Sequence, residues 1–191
     1  MQAALKRDFV SVDDYFAGEE ASQLKHEYIS GSLYAMAGVT TSHNLISGNI
    51  YASIKQALRG GLCRVFIADV KVRLNIAGED IFYYPDVMVG CDPRDTHRLY
   101  LRYPNILVEV SSESTERLDR GEKRLAYQTI ETLEEYVIAA QERVEVTIFR
   151  RASNWKPEVL SRMSDTVNLK SISLSLKLSS IYEGIVTGAA R

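Results

Sequence analysis

The sequence holds little that would staple a fold, anchor it in a membrane or coat a polyanion. Only two cysteines, Cys63 and Cys91, occur in 191 residues, and neither shares metal-ligand spacing with the three histidines. That excludes a zinc site built from closely paired Cys or His. Both cysteines flank apolar segments and read as reduced, buried packing residues of a cytosolic protein. No apolar run approaches the ~18 residues needed to span a bilayer. The opening residues, Met1 to Val10, lack the apolar stretch of a secretory signal. A cytoplasmic protein with no membrane partner is expected.

Positive charge is not in excess either. With 23 Lys and Arg against 25 Asp and Glu, the formal net charge is −2. A passive, sequence-independent nucleic-acid coat would be strongly basic. Local charge, however, governs contact with a phosphate, so a near-neutral total leaves catalysis on nucleic acid open. The chain also lacks internal repeats, low-complexity tracts and a linker. Its four prolines punctuate turns. One domain over residues 1–191 is expected, large enough to bury about two-thirds of its unfolded surface without a metal or disulfide staple.

What is present alternates between strand and helix patterns. Ser11 to Leu24 reads as a short helix opened by Ser11, and Glu27 to Met36 as two strands about a Ser-Gly turn. From Ser42 to Leu58, Leu45, Ile46, Ile50, Ile54, Ala57 and Leu58 recur at helical spacing, and Gly60-Gly61 stops the run. Strand-like runs cover Arg64 to Leu74 and Ile81 to Val89, and Ile106 to Val110 reads as a buried central strand. A helix is predicted over Asp119 to Ile130, with Asp119 and Glu122 placed like a capping box. Strands follow at Glu134 to Ala140, Arg143 to Arg151 and Trp155 to Ser161, and a short helix at Leu176 to Ile185. The sum is an α/β protein with a central mixed β-sheet flanked by helices.

Two carboxylates stand out. Asp86, in Tyr83-Tyr84-Pro85-Asp86-Val87-Met88-Val89, and Glu109, in Ile106-Leu107-Val108-Glu109-Val110, lie inside apolar strand-forming runs. Burying an unpaired carboxylate costs several kcal/mol, so each needs a cation, a metal or a strong donor beside it. Two on consecutive strands can converge on one hard divalent ion. Taken singly, each reads equally well as an edge residue facing solvent or paired with an arginine.

The wider text resembles a known family. Pro85-Asp86 followed by Glu109-Val110-Ser111 is similar to the PD-(D/E)XK nuclease signature, and the surroundings resemble its Uma-type restriction-endonuclease branch. The matching stretches are Glu27 to Gly38, His43-Asn44, Pro85-Asp86-Val87, Pro104 to Ser111, Ser114-Thr115, Asp119-Arg120-Gly121-Glu122-Lys123, Tyr127 and Ser179 to Tyr182. Nearly the whole chain is covered. The resemblance implies a restriction-endonuclease-like fold and a Mg²⁺-dependent DNA endonuclease, with Mn²⁺ as a substitute ion and no organic cofactor. It also implies a homodimer. Asp86 and Glu109 would hold the ion, joined by the Val110 carbonyl and by Glu27 as third acid.

One departure matters. Where the superfamily signature has lysine two residues after the second acid, this chain has Ser111, which cannot supply positive charge. The resemblance points instead to Lys123, which shares a helix face with Tyr127. Taken alone, Lys123 reads as an exposed i, i+4 partner of Asp119, Glu27 as an exposed junction residue, and Tyr127 as core packing. His43 reads as a helix-start residue, a phosphate contact or a support of the site. Two clusters, Arg117, Arg120 and Arg124, and Arg94, Arg98 and Arg102, are candidate phosphate contacts or solvated surface. Two rival functions follow from Ser111 and the near-neutral charge. One is a nuclease fold that binds nucleic acid without cutting; the other is a protein-interaction scaffold.

Overall fold

The computed structural model describes residues 9–113 and 115–185. Helix α1, Val12–Ala21, starts where the Ser11 hydroxyl accepts from the Asp14 amide, with Asp13 and Asp14 in the favourable first turn. Strands β1, His26–Ile29, and β2, Ser32–Ala35, pair antiparallel about Ser30 and Gly31. Both turn residues have positive φ (47° and 85°), the twist a two-residue hairpin requires. Helix α2, Thr41–Ala57, is capped by Thr40 and buries Ile46, Ile50 and Ile54 at four-residue spacing.

The two long strand-like runs are each broken into two strands, which the hydrophobic pattern did not reveal. Arg64–Ile67 (β3) and Lys71–Ile76 (β4) are separated by Ala68 at φ 58°. Glu79–Tyr83 (β5) and Val87–Gly90 (β6) are separated by Tyr84-Pro85-Asp86. Antiparallel pairing joins β4 to β5 and β3 to β6, so this hairpin passes from one sheet into another at its midpoint. Proline removes an amide donor and breaks the ladder on one side; the left-handed residue Ala68 turns the chain on the other.

Strands β7, Tyr100–Leu101, and β8, Pro104–Ser111, complete the middle of the chain. A helical segment follows in three parts: α3 (Glu116–Leu118), a π-helical turn (Asp119–Lys123) and α4 (Arg124–Tyr127). Then come β9 (Glu135–Ala140), β10 (Val146–Arg150), β11 (Pro157–Leu160), β12 (Thr166–Leu169), β13 (Leu174–Lys177) and α5 (Leu178–Ile181). One sheet runs β2-β1-β5-β4-β7 and another β11-β10-β9-β8-β6-β3, while β12 and β13 form a ribbon. The β8–β9 pair is parallel and its neighbours antiparallel, which makes the central sheet mixed.

Two expectations are corrected here. The helix begins at Glu116, whose amide donates to the Ser112 carbonyl, so Asp119 lies inside it rather than capping it. The predicted helix at Leu176 to Ile185 starts as strand β13, because Leu174 and Leu176 alternate with serine and lysine and pair with β12.

Alternation along β8 sets the layers. Ile106, Val108 and Val110 pack with α2, the β12–β13 ribbon and α5. Leu107 faces the opposite side with Tyr83, Val72, Tyr127 and Tyr136. Glu109 shares that second side, between the central sheet, the five-stranded sheet and the helical segment. Helix α1 covers the far face of the five-stranded sheet with Tyr15 against Tyr28 and Phe82. No helix among the described residues is long and apolar enough to cross a membrane.

Cys63 and Cys91 form a disulfide, which corrects the reading of both as reduced. The antiparallel register sets Arg64 opposite Gly90, so the next residue on each strand is a cross-strand neighbour. Twenty-eight positions of sequence separation hid the pair.

Candidate active site

Glu109 enters the site because side chains alternate along the central strand β8, so that Leu107 and Glu109 share the face turned toward the helical segment. The carboxylate is 4% exposed. The Tyr127 hydroxyl donates to Glu109 Oε1 at 2.7 Å, and Lys123 Nζ donates to the same oxygen at 3.3 Å. Lys123 and Tyr127 therefore share the inward face that their spacing of four requires. Lys123 is 6% exposed, so it is not a surface partner of Asp119.

Glu27, on β1, brings its Oε1 to 2.9 Å from the Lys123 ammonium. That oxygen is buried, so the ion pair is made away from solvent. Asp119 places Oδ1 at 3.9 Å from Lys123 and is equally buried. Lys123 also lies 5.3 Å from the centre of the Tyr83 ring. One ammonium thus faces three buried carboxylates.

Asp86 occupies the break between β5 and β6. Its Oδ2 accepts the Val110 amide at 2.6 Å and lies 3.2 Å from His43 Nε2. His43 reaches it from the first turn of α2, where the Thr40 hydroxyl accepts the His43 amide. Val110 is buried and offers its N–H here. Ser111, two residues beyond Glu109 on the same face, is buried as well; its carbonyl accepts from the Gln141 amide. No positive charge comes from that position, and Lys123 delivers it from the helical segment instead.

The electrostatics follow from burial and crowding. Burial pushes the Glu109 carboxyl well above its ordinary pKa; Lys123 pulls it back, and Asp119, Asp86 and Glu27 push it further up. Asp119 is raised to about 6, mainly by burial and against the pull of Lys123. For Lys123, burial opposes the charge, but Glu109, Glu27 and Asp119 outweigh it and hold the pKa above the usual lysine value. The ammonium stays protonated. Burial, then Glu109, hold the Tyr127 phenol far above its ordinary value, so it stays a donor.

All the residues expected from the sequence, Glu27, His43, Asp86, Glu109, Val110, Ser111, Lys123 and Tyr127, lie in this region. Asp119 was missed as a member because it was read as a cap. The signal was present: Asp119, Lys123 and Tyr127 recur every four residues, and such a stripe shares one face. A π-helical turn carries the first two, a feature frequent at functional sites. Three of the six candidate phosphate contacts are engaged in ion pairs: Arg120 with Glu116 and Glu145, Arg94 with Asp92 and Glu131, Arg98 with Glu20. Ser114, part of the resemblance, lies outside the described residues.

Comparisons with known proteins bear on the family and the fold. Residues 12–179 match the model of the Uma2 family, described as "Putative restriction endonuclease". Two Synechocystis sp. proteins are similar. "Uncharacterized protein slr1290" is 35% identical over 178 residues, covering 92% of this chain and 93% of its own. "Uncharacterized protein sll1609" is 28% identical over 144 residues, covering 74% and 80%. Among solved structures, a "putative nuclease belonging to DUF820" from Anabaena variabilis superposes with a TM-score of 0.72 at 15% identity, over 86% of this chain and 93% of the other. That likeness establishes a nuclease-like fold. With a family model spanning most of its length, the chain belongs to the Uma2 family.

Proposed function

We propose that this protein is a divalent-metal-dependent endonuclease that hydrolyses phosphodiester bonds in DNA. The observation that carries the reading is the charge imbalance of the site. Glu27, Glu109 and Asp119 are buried around a single ammonium, with Asp86 close by. Leaving carboxylates buried and uncompensated is costly, so the donor set suits a hard divalent cation. Asp86 and Glu109 would hold Mg²⁺, with Mn²⁺ as a substitute, joined by the Val110 carbonyl and Glu27. Bound there, such an ion would supply a water of lowered pKa and offset charge on the phosphate.

The chain's own residues prepare the rest. Tyr127 fixes one oxygen of Glu109, while the Val110 amide and His43 fix one oxygen of Asp86, so both acids present set orientations. The Lys123 ammonium, held by carboxylates and kept protonated, places positive charge where the scissile phosphate gains negative charge. Its donors need no rearrangement at the moment of reaction.

Incubation of the purified protein with supercoiled and linear DNA, in Mg²⁺, Mn²⁺ or EDTA, tests the reading beside Asp86→Ala and Glu109→Ala. Nicking that needs metal and disappears in both variants is expected. Metal-dependent cleavage retained by both variants overturns it. Salt-dependent DNA binding without cleavage would move the assignment to a non-cutting binding module.

A further inference from the structure

The β1–β5 ladder is short. It pairs Ile29 with Ile81 and Tyr28 with Phe82 and goes no further. Extended by two residues, the same register would set His26 opposite Tyr84. Those are the residue before Glu27 and the residue two before Asp86, so the ladder opens where two acids of the site depend on it. The missing rung lies immediately before Pro85, and both backbone groups of His26 that would have made it are taken by side chains of α1.

Glu19 bridges the gap. This residue lies in the last turn of α1, and its side chain is 8% exposed. Its Oε1 accepts the His26 amide at 3.1 Å and lies 2.9 Å from His26 Nδ1. Its Oε2 accepts the Tyr84 hydroxyl at 2.6 Å. From the preceding turn of the same helix, the Tyr15 hydroxyl donates to the His26 carbonyl at 2.7 Å. The His26 backbone is therefore held on both sides by α1. Lys71 Nζ, buried, lies 4.7 Å from the centre of the Tyr84 ring and steadies it from below.

We infer that Glu19 is a positioning residue: its carboxylate replaces the missing ladder rung and sets the separation of the segments that carry Glu27 and Asp86. The consequence for metal binding rests on the function proposed above; the consequence for geometry does not. Hydrogen bonds to a charged acceptor are among the stronger ones, so loss of the carboxylate should release both segments.

Glu19→Ala, Glu19→Gln and Tyr84→Phe test this beside Leu176→Ala, a destabilising control in the β12–β13 ribbon. Amide exchange at His26 and Glu27, with crystal structures of wild type and Glu19→Gln or Glu19→Ala, reads the geometry. Expected are faster exchange and a changed Glu27–Asp86 separation in Glu19→Ala, and smaller effects in the same direction in Tyr84→Phe and in Glu19→Gln, which keeps one accepting oxygen of the two. The Mn²⁺ midpoint, followed by electron paramagnetic resonance, should rise about tenfold in Glu19→Ala and stay put in Leu176→Ala. Unchanged exchange and separation in a folded Glu19→Ala overturns the inference, whether or not the protein cuts DNA. Wild-type protein that binds no Mn²⁺ through Glu109 would instead overturn the metal reading and leave the geometric result to stand by itself.

Discussion

Lys123 holds a buried cluster of like charges together, and its removal separates two roles that coincide in the wild type. Breaking a buried ion pair by deleting one partner costs on the order of 3–5 kcal/mol, because the remaining charges stay uncompensated. Lys123→Met should therefore lower the thermal midpoint in EDTA, and Mg²⁺ should restore more of it in the variant than in the wild type. A variant as stable as wild type in EDTA would mean that the acids are not burdened by their burial. Tyr127→Phe is a finer probe. It removes one hydrogen bond to a charged oxygen, worth roughly 1.5–3 kcal/mol, while the T-shaped contacts of its ring with Tyr83 and Tyr136 remain. Cleavage should fall with little change in the DNA concentration at half-maximal rate. An unaltered rate would show that Glu109 is oriented without the phenol. At this scale the sequence was informative about Asp86 and Glu109, since a carboxylate in an apolar strand is conspicuous. Glu27, Lys123 and Tyr127 became legible only through family resemblance, because nothing local marks a buried charge on a short strand or helix.

Elements were read well where one face alone is buried and poorly where both are. Helix α2 shows its apolar stripe and was delimited nearly to the residue. The runs over Arg64 to Leu74 and Ile81 to Val89 kept a strand-like pattern through their breaks, since each half is buried in a different sheet. Pro85 was visible as a turn residue, but Ala68 in the left-handed region has no sequence mark. The disulfide was invisible for a related reason: strand register, not spacing, makes neighbours of Cys63 and Cys91. Closing a loop of that separation stabilises by about 3–4 kcal/mol in the chain-entropy model. Protein purified without reductant should show no reactive thiol under denaturing conditions, and Cys63→Ser with Cys91→Ser should lower the urea midpoint. Two titratable thiols in the unreduced protein would contradict the bond.

On the scale of the whole molecule, the bent hairpin of β3–β4 and β5–β6 threads both sheets and carries Asp86 at its bend. Neither sheet can lose that hairpin without opening the site. Urea unfolding followed by far-ultraviolet circular dichroism and by the emission of Trp155 should therefore coincide; separated transitions would show that the two sheets unfold independently. The amino-acid sequence by itself determined the α/β class, the central position of β8, the helices whose apolar stripes face one core and the candidacy of Asp86 and Glu109, because each is written in local periodicity and in the cost of burying charge. Only the tertiary structure decided that Asp119 joins the site, that Glu19 bridges an opened ladder and that Cys63 meets Cys91. These depend on register and on where a π-helical turn points its side chains, and both are set by packing between segments distant in the chain.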